Sequence, residues 1–428
     1  MCLSMVRESP HAAERACGME VYGSDADGIG GVLKARCEDF VVRELYEPRL
    51  SDEGRYLLVE VEKTDWDTHQ LVREIARRLH ISYRRIGFAG TKDKRARTIQ
   101  LMSIYGVRWE DVEPLRIRDV SLRFVGYSQR DVGLGDLAGN AFVIRVRDVS
   151  VSGEECEERL SLIHEQLQRL GGAPNFFGMQ RFGTVRPITH EVGRLLVRGD
   201  VEGAVMCYIG MPFEQEPEDT RTARERLWEA YRSGLTADAV REALRSFPRH
   251  LRYERAMLDK LISGTAEDAM RALPINLQRM FVHALQSYLF NRMLSERLRL
   301  GLSLREPQVG EWVLVGERAQ RVDEGTLDMA ARLVRHGRAR VALPIVGYDT
   351  DVEALPEYAR RVLDDERIEP EMFSLPHLSE LSPAGTLREV ATSLPSRLCV
   401  DDEGVVLHLT LPKGCYATVV LREYTKSP

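Results

Sequence analysis

The sequence predicts an α+β protein, and three observations carry that expectation. Apolar and polar residues alternate with a period of two in several segments before Arg147. Helical periodicity then dominates from Ile188 to Leu300, and strand signals return towards the C-terminus. A chain of 428 residues also exceeds one ordinary hydrophobic core, so more than one domain is expected. The simplest arrangement is a domain with a mixed or antiparallel sheet, interrupted by a mainly helical insertion. The expected divisions are 1–190 for the first part of the sheet domain, 191–380 for the insertion and 381–428 for strands that complete the first sheet.

Tyr56 to Lys63 (YLLVEVEK) alternates, is rich in apolar residues and reads as a strand. Asp67 and Thr68 offer an N-cap to a helix with Leu71, Val72, Ile75, Ala76 and Leu79 on one face. Thr98–Met102, Ser121–Tyr127 and Ala141–Arg147 read as strands. The last sets Phe142, Ile144 and Val146 against Val143, Arg145 and Arg147. Glu154–Leu170 reads as a helix that Gly171 and Gly172 end. Further helices are expected at Arg221–Arg232, Ala237–Arg245, Leu251–Ile262 and Pro274–Leu300, with Pro274 suited to a first turn. Gln308–Val315 and Arg340–Val346 read as strands. Pro356, Pro370, Pro376 and Pro383 then punctuate a linker-like stretch. Leu398–Val400, Val405–Leu411 and Ala417–Leu421 read as antiparallel strands.

Composition narrows the function. A hydrophobic fraction of 43% and a charged fraction of 29% are those of a soluble globular protein. No run of 18 apolar residues suggests a membrane span, and the N-terminus has no apolar signal core, so a cytoplasmic protein is expected. The seven cysteines are odd in number, scattered and without a CxxC, which favours reduced thiols over a zinc site or a disulfide frame. His80, His164 and His190 show no ligand spacing, so no metal is expected. His283 lacks an acid for a hydrolytic triad. Gly28-Ile29-Gly30-Gly31 lacks the strand-to-helix setting of a dinucleotide site, and no GKT or GKS occurs. No cofactor and no obligatory protein partner are implied, and the expected state is a monomer.

The net charge of −6 conceals an uneven distribution. Asp349 to Glu371 holds nine acids against three arginines and reads as a solvated face. Between Arg77 and Arg108 stand Arg77, Arg78, Arg84, Arg85, Lys92, Lys94, Arg95, Arg97 and Arg108, with Asp93 the sole acid. Such a segment attracts polyanions. A carboxylate has no use there as a phosphate contact, so it is either a local charge balance or a reacting group. Ala89-Gly90-Thr91 makes a small-residue turn between two apolar stretches, which puts Asp93 at the mouth of a strand–loop–strand unit.

The segment Gly87–Gln100, GFAGTKDKRARTIQ, resembles the GxKDxxAxTxQ signature of the TruD family of pseudouridine synthases, with Gly90, Lys92, Asp93, Ala96, Thr98 and Gln100 in place. Four more segments resemble that family in its order: Lys34–Val42 (KARCEDFVV), Asn175–Gly183 (NFFGMQRFG), Phe281–Asn291 (FVHALQSYLFN), and Leu411–Thr418 (LPKGCYAT) with Leu421-Arg422-Glu423. The resemblance runs from about Val32 to Tyr424. Met179 and Cys415 depart mildly from it.

The resemblance implies a catalytic domain interrupted by a TRUD domain. It implies a cofactor-free isomerisation of uridine to pseudouridine in tRNA, at position 13 of the D-arm. The target base must leave its stack to be reached. Asp93 takes the catalytic place. Lys34 pairs with it or stays exposed, and Lys92 is a weaker candidate for the same part. Phe40 is either a core aromatic or a stacking partner for the base. Asn175 meets the uracil edge or positions the Asp93 loop, and Tyr416 lines the pocket. Arg84, Arg85, Arg95 and Arg97 are expected along the RNA backbone.

Overall fold

The structure, a computed structural model, describes residues 6–316 and 318–427. Helix and sheet are mixed throughout, as an α+β chain requires. Two compact units share the chain. The first takes the described residues through Asp25 and then Pro174–Ala391; the second takes Ala26–Ala173 and Thr392–Ser427. The changes of unit therefore fall at 25/26, 173/174 and 391/392. The N-terminal segment joins the first unit because the helix Ile275–Arg299 holds it. Asn291 Nδ2 donates to the Cys17 carbonyl and Ser295 Oγ to that of Gly18, each at 2.8 Å. Arg299 pairs with Glu8 at 2.7 Å.

The second unit is built on one sheet of nine strands: β1 (Val32–Leu33), β2 (Phe40–Leu45), β3 (Tyr56–Thr64), β4 (Ile86–Phe88), β5 (Arg97–Tyr105), β6 (Val120–Ser128), β7 (Gly139–Arg147), β8 (Arg397–Asp401) and β9 (Gly404–Pro412). Their order is β8-β9-β7-β2-β5-β3-β6, with β1 added to β7 and β4 to β5. Only β2 and β5 run parallel. The two C-terminal strands thus return to the sheet begun by the N-terminal ones.

Three helices cover this sheet: α1 (Thr68–Arg78), α2 (Gly153–Leu170) and α3 (Ala417–Thr425). Asp67 caps α1 by accepting from the Gln70 amide. Leu71, Val72 and Ile75 of α1 then meet the inward residues Leu57, Val59 and Val61 of β3. A second cluster joins Phe40, Val42, Phe142, Ile144, Val146, Leu407 and Leu409 to α2 and α3. Gly171 ends α2 with φ 110°, a left-handed turn that costs glycine little.

The expected strand at Ala417–Leu421 is in fact the start of α3. Thr418, Val419 and Val420 are β-branched and favour a strand locally. Ala417, Val420, Leu421 and Tyr424 fall at i, i+3, i+4 and i+7, however, and all four enter the core. Burying that stripe outweighs a propensity worth only tenths of a kcal/mol per residue.

In the first unit the expected helices form, among them Glu218–Arg232, Ala237–Ser246, Arg252–Leu261 and the long Ile275–Arg299. The last is buried along most of its length. Thr189–Val197 crosses it closely at Gly193, where a β-carbon would stand 2.1 Å from the Phe281 carbonyl oxygen. Four antiparallel strands (Trp312–Val315, Arg318–Arg321, Arg340–Ile345 and Thr386–Glu389) form a separate sheet.

The proline-punctuated stretch is not a linker. Pro356 precedes a helix, Glu357–Glu366, and Pro370 and Pro376 each open a short 3-10 turn. These prolines start helical turns, where a missing amide proton costs nothing. Nor is the acidic run wholly solvated: Glu366 is 9% exposed and is bound by Arg194, Arg292 and Tyr288.

Candidate active site

Asp93 lies in the loop between β4 and β5, at the mouth of a strand–loop–strand unit. Its side chain is 43% exposed, and Oδ2 accepts from Lys34 Nζ at 2.8 Å. Among the described residues Oδ1 has no hydrogen-bond partner. Lys34 takes φ 53°, an uncommon backbone region for a residue with a side chain. Strain of this kind persists where the surroundings demand it and clusters at functional sites. The Lys34 ammonium also stands 4.3 Å from the centre of the Phe40 ring, a cation–π arrangement. One lysine therefore bridges the carboxylate and the aromatic ring.

Phe40 opens β2 and is only 2% exposed. Phe142 meets it edge-on at 6.1 Å. The ring belongs to the core, and its polar contact is the Lys34 ammonium. Lys92, beside Asp93 in sequence, points the other way. It forms an ion pair with Glu44, and the two side chains are 7% and 0% exposed. Glu44 Oε1 also accepts from the Leu101 amide at 3.2 Å. Lys92 thus anchors the loop to β2 and β5 from below.

Two further groups hold this loop, and neither stood out in the sequence as a site residue. Thr68, at the start of α1, accepts at Oγ1 from the Lys92 amide at 3.0 Å. Lys63, at the end of β3, is fully buried. Its ammonium donates to the Trp66 carbonyl at 2.6 Å and to the Asp93 carbonyl at 3.1 Å. A signal for Lys63 was present: Leu57, Val59 and Val61 face the core, so strict alternation aims residue 63 inward too. Gln100 Nε2 reaches the Gly90 carbonyl at 3.2 Å and fixes the near end of the loop.

The remaining sequence candidates divide. Tyr416 is half-buried at the start of α3 in the same unit. Asn175 lies in the first unit, where its amide is engaged at both ends. Oδ1 accepts from Arg388 at 2.8 Å and Nδ2 donates to the Glu389 carbonyl at 2.9 Å. The structure also joins two of the sequence segments there. Asn291 of FVHALQSYLFN accepts from the Phe177 amide at 2.8 Å and donates to the Phe177 carbonyl at 3.0 Å. Arg388 covers the Phe177 ring at 4.0 Å.

The four arginines differ as well. Arg84 is exposed on a short 3-10 turn. Arg95 is exposed and donates to the Ala35 carbonyl at 2.9 Å. Arg85 is tied to the carbonyls of Tyr105 and Gly106, and Arg97 pairs with Glu62 at 2.6 Å. Among the described residues no cluster of three or more His, Cys, Asp or Glu is placed to hold a metal ion. No helix there is long and apolar enough to cross a membrane.

A carboxylate held by an ammonium at a loop mouth is an arrangement that acid–base or nucleophilic chemistry can use. The family model described as tRNA pseudouridine synthase D (TruD) matches residues 16–424, and the chain belongs to that family of isomerases. A Methanococcoides burtonii protein named as a probable tRNA pseudouridine synthase D is 41% identical over 96% of this chain and 97% of its own length. An Archaeoglobus fulgidus protein of the same name is 42% identical over 97% and 99%. A crystallised Methanosarcina mazei protein, itself assigned to tRNA pseudouridine synthase D, superposes with a TM-score of 0.85 at 38% identity, covering 97% of this chain and 98% of the other.

Proposed function

We propose that this protein isomerises uridine to pseudouridine in tRNA, at position 13 of the D-arm, with Asp93 as the catalytic carboxylate. The observation that carries the reading is the Asp93 side chain itself: half in solvent, one oxygen on Lys34, the other without a partner among the described residues. The reaction breaks the bond from the ribose C1′ to N1 of the base and makes one from C1′ to C5. The proton on C5 leaves and N1 regains one, so no oxidant or energy source is consumed. An uncommitted carboxylate oxygen serves either as nucleophile or as base for these steps.

Lys34 orients the carboxylate and compensates its charge as the reaction proceeds. The target base, once flipped out, needs a flat apolar surface. Phe40 supplies one when the Lys34 ammonium moves off its ring, and Tyr416 closes the pocket from α3. Lys92 holds the loop through Glu44. Exposed arginines beside the signature supply phosphate affinity that does not depend on sequence. The work is done in the cytoplasm, without a cofactor.

Release of tritium from tRNA labelled at uridine C5, followed by mapping of pseudouridine in the product, tests this reading. Release with modification at position 13 supports it. Tight tRNA binding without release would make the protein a non-catalytic RNA binder. Release with modification elsewhere would keep the chemistry and move the substrate.

A further inference from the structure

Lys63 is an unusual group to find under a reactive loop. It sits at the last inward position of β3, fully buried, and its ammonium meets backbone carbonyls rather than a carboxylate. One carbonyl belongs to Trp66, on the turn into α1. The other belongs to Asp93. A buried ammonium that donates to two carbonyls draws together the two chain segments that carry them. It also places a positive charge on the side of the loop away from solvent. Its in-register neighbours across the sheet are Thr98 and Val120, neither of them charged. The ionisable groups that act on it are Asp67 from the cap of α1, and Asp93 and Lys92 from the loop.

We propose that Lys63 is a positioning residue for the isomerisation: as an ammonium it fixes the backbone of Asp93 against the start of α1, and as a neutral amine it lets that backbone loosen. The inference rests on Asp93 being the catalytic carboxylate. Charge-assisted hydrogen bonds are roughly twice as strong as neutral ones, so loss of the proton weakens both ties while leaving the packing in place. Burial pulls the Lys63 pKa down to about 8, against the attraction of Asp67 and Asp93. The change of state therefore falls close to the working range of the enzyme.

The sign of the stability effect separates this role from a structural one. Lys63 has an ordinary value of 10.5 and titrates near 8 in the fold. Between those limits the unfolded chain binds more protons than the native one, so stability from this group rises with pH. A merely structural lysine would leave activity following stability upwards. A positioning lysine makes the rate fall while the melting temperature holds or rises.

The experiment compares single-turnover rates of the wild type, Lys63→Arg and Lys63→Met on one tRNA from pH 7 upwards, with melting temperatures at each pH. Ionisation of the tRNA appears in all three proteins and cancels. In the wild type the rate is expected to decline through about pH 8 without a fall in melting temperature. Lys63→Arg should keep a flat profile across that range, because arginine stays charged. Lys63→Met should lose up to about 100-fold in single-turnover rate at pH 7, with tRNA affinity little changed and no decline near pH 8. A wild-type rate that is level through this range, or a folded Lys63→Met enzyme with the wild-type rate, overturns the proposal. If Lys63→Met does not fold, the wild-type and Lys63→Arg profiles still decide it. Tritium release by the wild type at pH 7 tests the proposed function alone, so the two can fail separately.

Discussion

Arg297 and Glu311 in the first unit, and Lys34 and Asp93 in the second, are both ion pairs at 2.8 Å. Their surroundings differ completely. Arg297 and Glu311 are fully buried. All the donors of the guanidinium are used, on Glu311 and on the carbonyls of Leu302, Ser303 and Glu306. Tyr358 and the Gln308 amide complete the shell around the Glu311 carboxylate. Nothing in that pair remains to meet a ligand. Asp93 instead faces solvent, with Oδ1 unpartnered among the described residues, beside a lysine in an uncommon backbone conformation. Complete satisfaction marks a structural pair; the exposed Asp93 pair is the one that the proposed chemistry can use.

Two mutations at these pairs should give opposite outcomes. Asp93→Asn is expected to abolish turnover, with the melting temperature and tRNA affinity near those of the wild type. Affinity should hold or rise, since a negative charge near phosphates is removed. Tritium release, filter binding and thermal melting on one preparation check this. An Asp93→Asn protein that turns over normally removes Asp93 from the chemistry. Arg297→Met should behave in the opposite way. Leaving Glu311 buried and unpaired costs about 3–5 kcal/mol, and Arg297→Met with Glu311→Leu should recover much of that loss. The folded fraction should react at the wild-type rate, which denaturant titration and single-turnover kinetics together resolve.

Phe40 is both a core residue and a neighbour of the Lys34–Asp93 pair. Phe40→Leu keeps most of the apolar volume and discards the ring face. If a base stacks there, the rate should fall about tenfold to 100-fold, matching the 1–3 kcal/mol of one stacking contact. The melting temperature should fall only modestly. A normal rate in a protein that merely melts earlier would return Phe40 to the core alone. The smallest expected effect concerns the arginines. Arg84→Gln should reduce the slope of log affinity against log salt by about one unit. Arg85→Gln should change it less, because Arg85 is already spent on the Tyr105 and Gly106 carbonyls. Equal slopes would show that a bond to a carbonyl leaves a guanidinium open to phosphate.

Much of the fold was legible because burial leaves a period in the chain. β7 shows it, as do the helices Glu218–Arg232 and Ala237–Ser246; β5 is buried on both faces and carries no such alternation. Position 417 onwards misled because local β-branching pointed one way and the buried stripe the other. The prolines near 356–376 misled because a breaker and a helix starter are the same residue in a different place. The attachment of the N-terminal segment to the first unit rests on side-chain bonds between distant positions, which no local pattern encodes. At the candidate site, Lys34, Phe40, Lys92 and Asp93 were visible as types in a motif. What the sequence withheld was their direction: Lys92 turns down to Glu44 while Lys34 turns up to Asp93. Lys63 was legible as an inward position of β3, but its bond to the Asp93 carbonyl was not.

The return of β9 to β7 has a consequence for how the protein is made. Val405 to Pro412 pairs residue by residue with Gly139 to Val146. During synthesis the N-terminal strands therefore wait, with the edge of β7 uncovered, while the whole of Pro174–Ala391 is translated. An uncovered strand edge invites mispairing with another nascent chain. Pairings this distant in sequence are also slow to find. The first unit, whose later segment is continuous, can collapse while still tethered to the ribosome, and the sheet that carries Asp93 closes last.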